Sequence, residues 1–289
     1  MRTLHVDTGR GMRGGQWQAL YLLERLIERS KDAALLAPVQ SPLLSEARKR
    51  GVEAQPLSFA ALAKMSRRAD LVHAHDAKAH TLAALAGGPP LVVSRRVGFP
   101  VRRSIPSRWK YARAARYLAV SRYVAARLAE AGVPGERIRV VYDGVPIPPP
   151  GNPEPGRIVA LAHKCVVIPE FAIHYVGDLW QDLSTASVFL YVSEMEGLGS
   201  ASLAAMAAGV PVIASRVGGL PEIVEHERTG LLVDFPPTPN ELAAAVRRLL
   251  DDPALRAEMG RRGREKVMER FSIDAMVEGT LRAYEEVGR

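Results

Sequence analysis

The chain has 289 residues, 47% hydrophobic and 24% charged, which fits ordinary globular domains, two of them at about 150 residues each. Its 39 Lys and Arg outweigh 31 Asp and Glu, giving a net charge of +8 and a pI near 9.8, so anionic partners are favoured. One cysteine, Cys165, excludes an internal disulfide and points to a reducing, cytoplasmic compartment. No apolar run reaches the roughly 18 residues of a membrane span.

In chain order, the N-terminal half alternates short apolar runs with helical periodicity. Strands are expected over 3–7, 33–37, 71–75, 91–94, 117–120 and 139–142, and helices over 16–29, 42–50, 59–67, 77–86, 107–115 and 121–131. The chain enters the first strand at once, without the apolar stretch of a signal peptide. In the first helix Trp17, Leu20, Leu23, Leu26 and Ile27 share one face, and Ser121 is placed to cap the sixth, which Gly132 and Pro134 close. This alternation predicts a doubly wound α/β domain over 1–145.

Six prolines in residues 146–156 exclude a helix or central strand and predict a semi-rigid linker. Beyond it, strands are expected over 158–162, 173–176, 188–192, 210–214 and 230–233, and helices over 181–186, 240–250 (capped by Asn240), 253–270 and 273–287. The second α/β domain, over 157–272, is short for its class.

Two glycine turns punctuate that domain. The first reads SEMEGLGS and leads into the alanine-rich helix SLAAMAAG; the second, VGGLPEIV, follows the next strand. A strand, a glycine turn and a helix whose first turn is free of bulk suit phosphate binding, because the helix start offers unpaired N–H groups and a positive dipole end. Gly14 and Gly15 stand at the entry of the first helix in the same way, and a bare tight turn is the alternative there.

Basic residues cluster at Arg95, Arg96, Arg102, Arg103, Arg108, Lys110, Arg113 and Arg116, with no acid among them. A solvated basic face and attraction to an anionic membrane surface are both open readings; nucleic acid lacks an accompanying motif. His75 and Asp76 close a strand at its C-terminal end, where ligands of such folds bind, whereas His73 and His75 are expected on opposite faces and not as a chelating pair.

Taken together, EGLG, MAAGVPVIAS, VGGLPEIV and TGLLV, with GRGMRGGQW, DLVHAHDA and AVSRYVAARL upstream, strongly resemble the retaining glycosyltransferases of family 4. The resemblance covers nearly the whole chain. It implies a GT-B architecture: two Rossmann-like domains facing a cleft, with a last helix (273–289) crossing back to the first. It implies sugar transfer from a nucleotide-diphosphate donor, as substrate and not cofactor, to a glycan or lipid-linked acceptor, without a required metal. Glu196, His75 and Arg95 then become catalytic candidates. Gly14, Gly15, Lys164, Gly197, Leu198, Gly199, Ser200 and Glu222 become donor-binding candidates.

Two departures stand out. The family's second glutamate, eight residues after the first, is replaced by Ala204, and the strand ending near Lys164 is followed by too few residues for the family's helix. A fold-retaining remnant without turnover is therefore the alternative reading, and nucleotide-sugar epimerisation a third.

Overall fold

A computed structural model of the chain describes residues 1–101, 104–161 and 168–288. These form two compact units, one of residues 1–142 with 273–289, the other of residues 143–272. In the first, β1 (Arg2–Val6), β2 (Asp32–Ala37), β3 (Glu53–Pro56), β4 (Leu71–Ala74), β5 (Leu91–Arg95), β6 (Arg116–Ala119) and β7 (Ile138–Val140) make one sheet, ordered β3-β2-β1-β4-β5-β6-β7. Every pairing is parallel. The strands are apolar runs buried on both faces, as helices on either side require. The exceptions are the two edge strands, β7, which has no buried residue, and β3, a polar strand with no apolar signal, which the sequence pattern misses.

The intervening helices are α1 (Gly14–Glu28), α2 (Pro42–Lys49), α3 (Phe59–Ser66), α4 (Ala77–Ala86), α5 (Ile105–Ala112) and α6 (Arg122–Glu130). Ser121 caps α6 by accepting from the Val124 N–H at 3.1 Å. The last helix, α12 (Ile273–Val287), packs on this unit. Met276 and Val277 join the core of α1, β2 and α2, while Ala283 and Tyr284 join Leu71, Val92 and Leu118.

The second unit holds β8 (Ile158–Ala160), β9 (Ile173–Tyr175), α7 (Leu179–Thr185), β10 (Val188–Tyr191), α8 (Ser200–Ala207), β11 (Val212–Ser215), α9 (Leu220–Ile223), β12 (Gly230–Val233), α10 (Pro239–Asp251) and α11 (Pro253–Arg270). Its five strands are parallel in the order β12-β11-β10-β8-β9. β9 lies at the edge of this sheet, with Tyr175 39% exposed.

One local reading changes. Thr238, not Asn240, caps α10: its hydroxyl accepts from the Glu241 N–H at 3.2 Å, and the Glu241 carboxylate returns to the Thr238 N–H at 2.7 Å. The cap falls two residues earlier because Pro239 occupies the first helical position, where its missing N–H costs nothing. The proline-rich stretch runs along the second unit. The Asn152 and Glu154 N–H groups donate to the Ser184 and Thr185 carbonyls at 2.7 and 2.8 Å.

Candidate functional site

Doubly wound sheets bind ligands outside the C-terminal ends of their strands, where the strand order reverses. In the first unit that point lies between β1 and β4. Asp7 follows β1, and His75 and Asp76 follow β4. Two carboxylates hold the glycine-rich loop between β1 and α1. Asp7, fully buried, accepts from the Gly9 N–H at 2.7 Å and from Gln16 Nε2 at 3.1 Å. Asp76 accepts from the Thr8 N–H at 2.6 Å and the Thr8 hydroxyl at 2.8 Å, while also capping α4 through the Lys78 and Ala79 N–H groups. Burial raises the Asp7 pKa, against the pull of the Gly9 N–H. Gly14 and Gly15 open α1 at the end of this loop, and a Cβ at Gly15 would lie 3.9 Å from Arg96 Cδ.

Arg95 and Arg96 have different surroundings. Arg95 is turned into its own segment, donating to the Tyr111 hydroxyl at 2.9 Å and to the Phe99 carbonyl. Arg96 is the arginine beside the glycine loop, close enough to Asp7 to act on its ionisation. Sequence reasoning selected Arg95; strand alternation is the signal that separates the two. Other cations of the basic segment are also engaged. Lys110 donates to the Ala77 carbonyl, and Arg116 is buried against Glu286 at 3.2 Å. Arg102 and Arg103 lie outside the described residues.

His75 does not face outward. It is 5% exposed and shares a 3.0 Å hydrogen bond with His5, through His75 Nε2 and His5 Nδ1. His73 and His75 are on the same face, with ring centroids 4.2 Å apart, because residues two apart on a strand point the same way. The expectation of opposite faces is corrected accordingly. Strand register brings His5 directly beside His73.

The three rings offer nitrogens within 4.8 Å of one another, a spacing a cation could exploit. Most of those nitrogens are engaged by protein partners. His5 Nε2 meets the Thr3 hydroxyl at 3.1 Å, and His73 meets the Tyr284 hydroxyl at 2.6 Å and the Ser94 hydroxyl at 2.8 Å. His75 Nδ1 has no hydrogen-bond partner. Burial drives all three pKa values down, His5 to about 3, so the cluster is a neutral hydrogen-bonded network.

In the second unit the order reverses between β8 and β10. β8 leads toward Lys164, which lies outside the described residues. β10 leads into the first glycine turn. There Glu196 Oε1 accepts from the Tyr191 hydroxyl at 2.8 Å and the Ser193 hydroxyl at 3.0 Å, fixing the carboxylate while leaving it partly exposed. Ser193 is itself held by its N–H donating to the Ser215 hydroxyl at 2.9 Å.

Gly197, Leu198 and Gly199 are buried, and Gly199, at φ 103°, turns the chain into α8 with no side-chain hydrogen bond capping the helix start. Ser200 is the first residue of α8, so its N–H and those of Ala201 and Ser202 have no acceptor within the helix. The second glycine turn packs on the first, backbone to backbone. A Cβ on Gly218 would stand 1.9 Å from the Glu196 carbonyl oxygen, and one on Gly219 2.3 Å from the Gly197 oxygen. Glu222 sits in α9, its carbonyl accepting from Lys266 at 3.2 Å. Ala204, on α8, is buried. The structure thus gathers Glu196, Gly197, Leu198, Gly199 and Ser200 in one unit, and Gly14, Gly15, His75 and Arg95 in the other.

Comparison with known proteins gives the family. Residues 12–147 match the family described as Glycosyltransferase Family 4, and residues 153–266 match Glycosyl transferases group 1. The alpha-maltose-1-phosphate synthase of Mycolicibacterium smegmatis is 44% identical over 110 residues, 36% of this chain and 28% of that protein. A lipopolysaccharide core biosynthesis glycosyltransferase of Rhizobium meliloti is 40% identical over 99 residues, 34% of this chain and 29% of that protein. These matches span under a third of either relative's length. Among solved structures, Anabaena HepE in complex with UDP-glucose superposes with a TM-score of 0.85 at 16% identity, covering 99% of this chain and 100% of that one.

Proposed function

The chain belongs to the family 4 glycosyltransferases, and from that premise we propose that it moves a sugar, with retention, from a nucleotide-diphosphate sugar to a lipid-linked or cell-envelope glycan acceptor. The observation that carries this reading is the paired glycine turn. Glu196 is aimed by Tyr191 and Ser193 in the turn that leads to the uncapped N-terminus of α8, at the strand-order reversal of its sheet. When the donor's anomeric C–O bond breaks, negative charge passes to the departing diphosphate. Main-chain N–H groups at the start of α8 are the kind of preorganised donors that stabilise it. Lys164 is the proposed cation, and Glu196 is assigned to the transferred sugar. In this reading charge stabilisation comes from the protein, without a metal or cofactor.

The relative that acts in lipopolysaccharide core biosynthesis supports the acceptor class. Exposed Phe99, Ile105 and Trp109, set among arginines, support a working position at the anionic inner face of the cytoplasmic membrane. The test is calorimetry with a panel of nucleoside diphosphates and their sugars, followed by product analysis by NMR; no binding to any of them overturns the reading. Ala204 favours one alternative, a remnant that binds nucleotide without turnover, because a ribose-binding carboxylate is missing there. Donor turnover that disappears in Glu196→Ala excludes it.

A further inference from the structure

A cavity of about 510 Å³ opens on the first unit, lined by Arg108, Tyr111, Ala112, Ala131, Val133 and Arg137, among others. α5 ends just before β6 begins, and the turn after α6 just before β7, so the lining belongs to the N-terminal edge of the sheet. The loop with Asp7 and Asp76 belongs to the opposite, C-terminal edge. One lining residue, Tyr111, reaches the C-terminal edge, its hydroxyl accepting from Arg95 at the end of β5 at 2.9 Å.

Its chemistry is amphipathic. Two guanidinium groups line it and no carboxylate does. Arg137 donates one N–H to the Ala112 carbonyl at 3.2 Å, and Arg108 makes no ion pair among the described residues. Ala112, Ala131, Val133 and Pro134 supply the apolar wall. Gly132, at φ 86°, adds backbone with open space where a side chain would stand. The helix above it is unusual: α5 has no buried residue, and Ile105 (83% exposed) and Trp109 (42%) lie on one face with Ala112, at helical spacings of four and three. This apolar stripe leads to the cavity mouth, and Arg113 stacks over the Trp109 ring.

We propose that this cavity seats the phosphate headgroup of an anionic membrane lipid, Arg108 and Arg137 gripping the phosphate while Ile105 and Trp109 enter the acyl boundary. Paired arginines match phosphate oxygens by fork-like donation, and an aromatic beside an apolar residue is suited to the membrane interface. The stripe is what selects a lipid over a free phosphate ion. The proposal rests on the membrane half of the function proposed above and gives it a defined site.

The test uses the full chain and phosphatidylcholine vesicles with and without phosphatidylglycerol, read by co-sedimentation. Binding only to the anionic vesicles is expected. Arg108→Gln with Arg137→Gln should weaken it about tenfold or more. Ala112→Trp, which fills the cavity from an exposed position without changing charge, should weaken it comparably. Lys31→Gln with Lys64→Gln, which removes the same charge elsewhere on that unit, should leave it within about twofold; circular dichroism melting checks that each variant folds. Failure of the unmodified chain to bind anionic vesicles overturns the membrane reading and this site together. Normal vesicle binding by Ala112→Trp overturns the site alone, leaving a diffuse basic surface. Calorimetric binding of inorganic phosphate that is lost in the arginine variant, without vesicle binding, replaces the lipid by a free phosphate.

Discussion

The Tyr284 hydroxyl lies 2.6 Å from His73 Nδ1, so the last helix of the chain is tied to a central strand of the first sheet by a fully buried hydrogen bond. Tyr284→Phe removes the hydroxyl and leaves a buried imidazole nitrogen unpaired, a loss of about 1–3 kcal/mol. Urea denaturation should show that loss, together with faster amide exchange in α12. An unchanged midpoint would mean that apolar packing alone holds the helix.

The same cluster sets a response to acid. His5, His73 and His75 are buried neutral, with pKa values pushed down by burial, His5 to about 3. In the unfolded chain they titrate near 6.5, as histidines do. Between those values the unfolded state holds more protons, so stability is complete above about pH 6.5 and falls as pH drops toward 3, by up to about 1.4 kcal/mol per unit per histidine. His5→Gln should flatten the fall between pH 6.5 and 5, where few carboxylates titrate. A slope equal to that of the unmodified chain would show that His5 is not part of it.

The histidine cluster also marks the limit of what the chain discloses one-dimensionally. The central strands were legible because both their faces are buried, and caps such as Ser121 because one side chain and one N–H decide them. The edge strand β3 was not, since its polar residues have nothing to bury on one side. His5 and His73 are 68 residues apart and meet only through the register of β1 with β4. The glycine turns were visible as turns, but their mutual packing, and the Tyr191 hydroxyl on Glu196, belong to tertiary structure. Neither the burial of His75 nor the inward turn of Arg95 leaves any trace in composition.

Asp76 joins α4 to the glycine loop through four hydrogen bonds. Asp76→Ala should cost about 1–2 kcal/mol as a lost helix cap and free the loop at Thr8. In the proposed reaction it should raise the donor KM more than it lowers kcat. Asp76→Asn, still an acceptor for the α4 amides, should recover most of the stability. Equal kinetic loss in both variants would point instead to a direct chemical role for the charge.

The two glycine turns leave no room for a Cβ. Gly218→Ala would bring a methyl group 1.9 Å from the Glu196 carbonyl oxygen at a residue with φ 56°, so overpacking and backbone strain add. The expected cost is about 2–4 kcal/mol, with lower donor affinity because the turn carrying Glu196 must shift. Gly209→Ala, also at positive φ (81°) but with open space around it, is the control and should show the backbone share of about 1 kcal/mol alone. Equal melting temperatures for the two variants would refute tight packing of the turns.

Glu196 and Tyr191 offer the sharpest test of the proposed chemistry. The Tyr191 hydroxyl donates to Glu196 Oε1 at 2.8 Å, and burial beside that carboxylate raises the tyrosine pKa, so the phenol stays protonated and the bond persists at working pH. Glu196→Ala should abolish transfer, by about a hundredfold or more in kcat, while calorimetry finds the nucleoside diphosphate bound within about threefold of the unmodified affinity. Tyr191→Phe keeps the carboxylate but loosens its aim, for a smaller fall of about tenfold in kcat with the donor KM nearly unchanged. If Tyr191→Phe has no effect while Glu196→Ala is inactive, Ser193 alone positions the carboxylate. If Glu196→Ala weakens nucleotide binding as much as turnover, Glu196 holds the donor's nucleotide rather than its sugar.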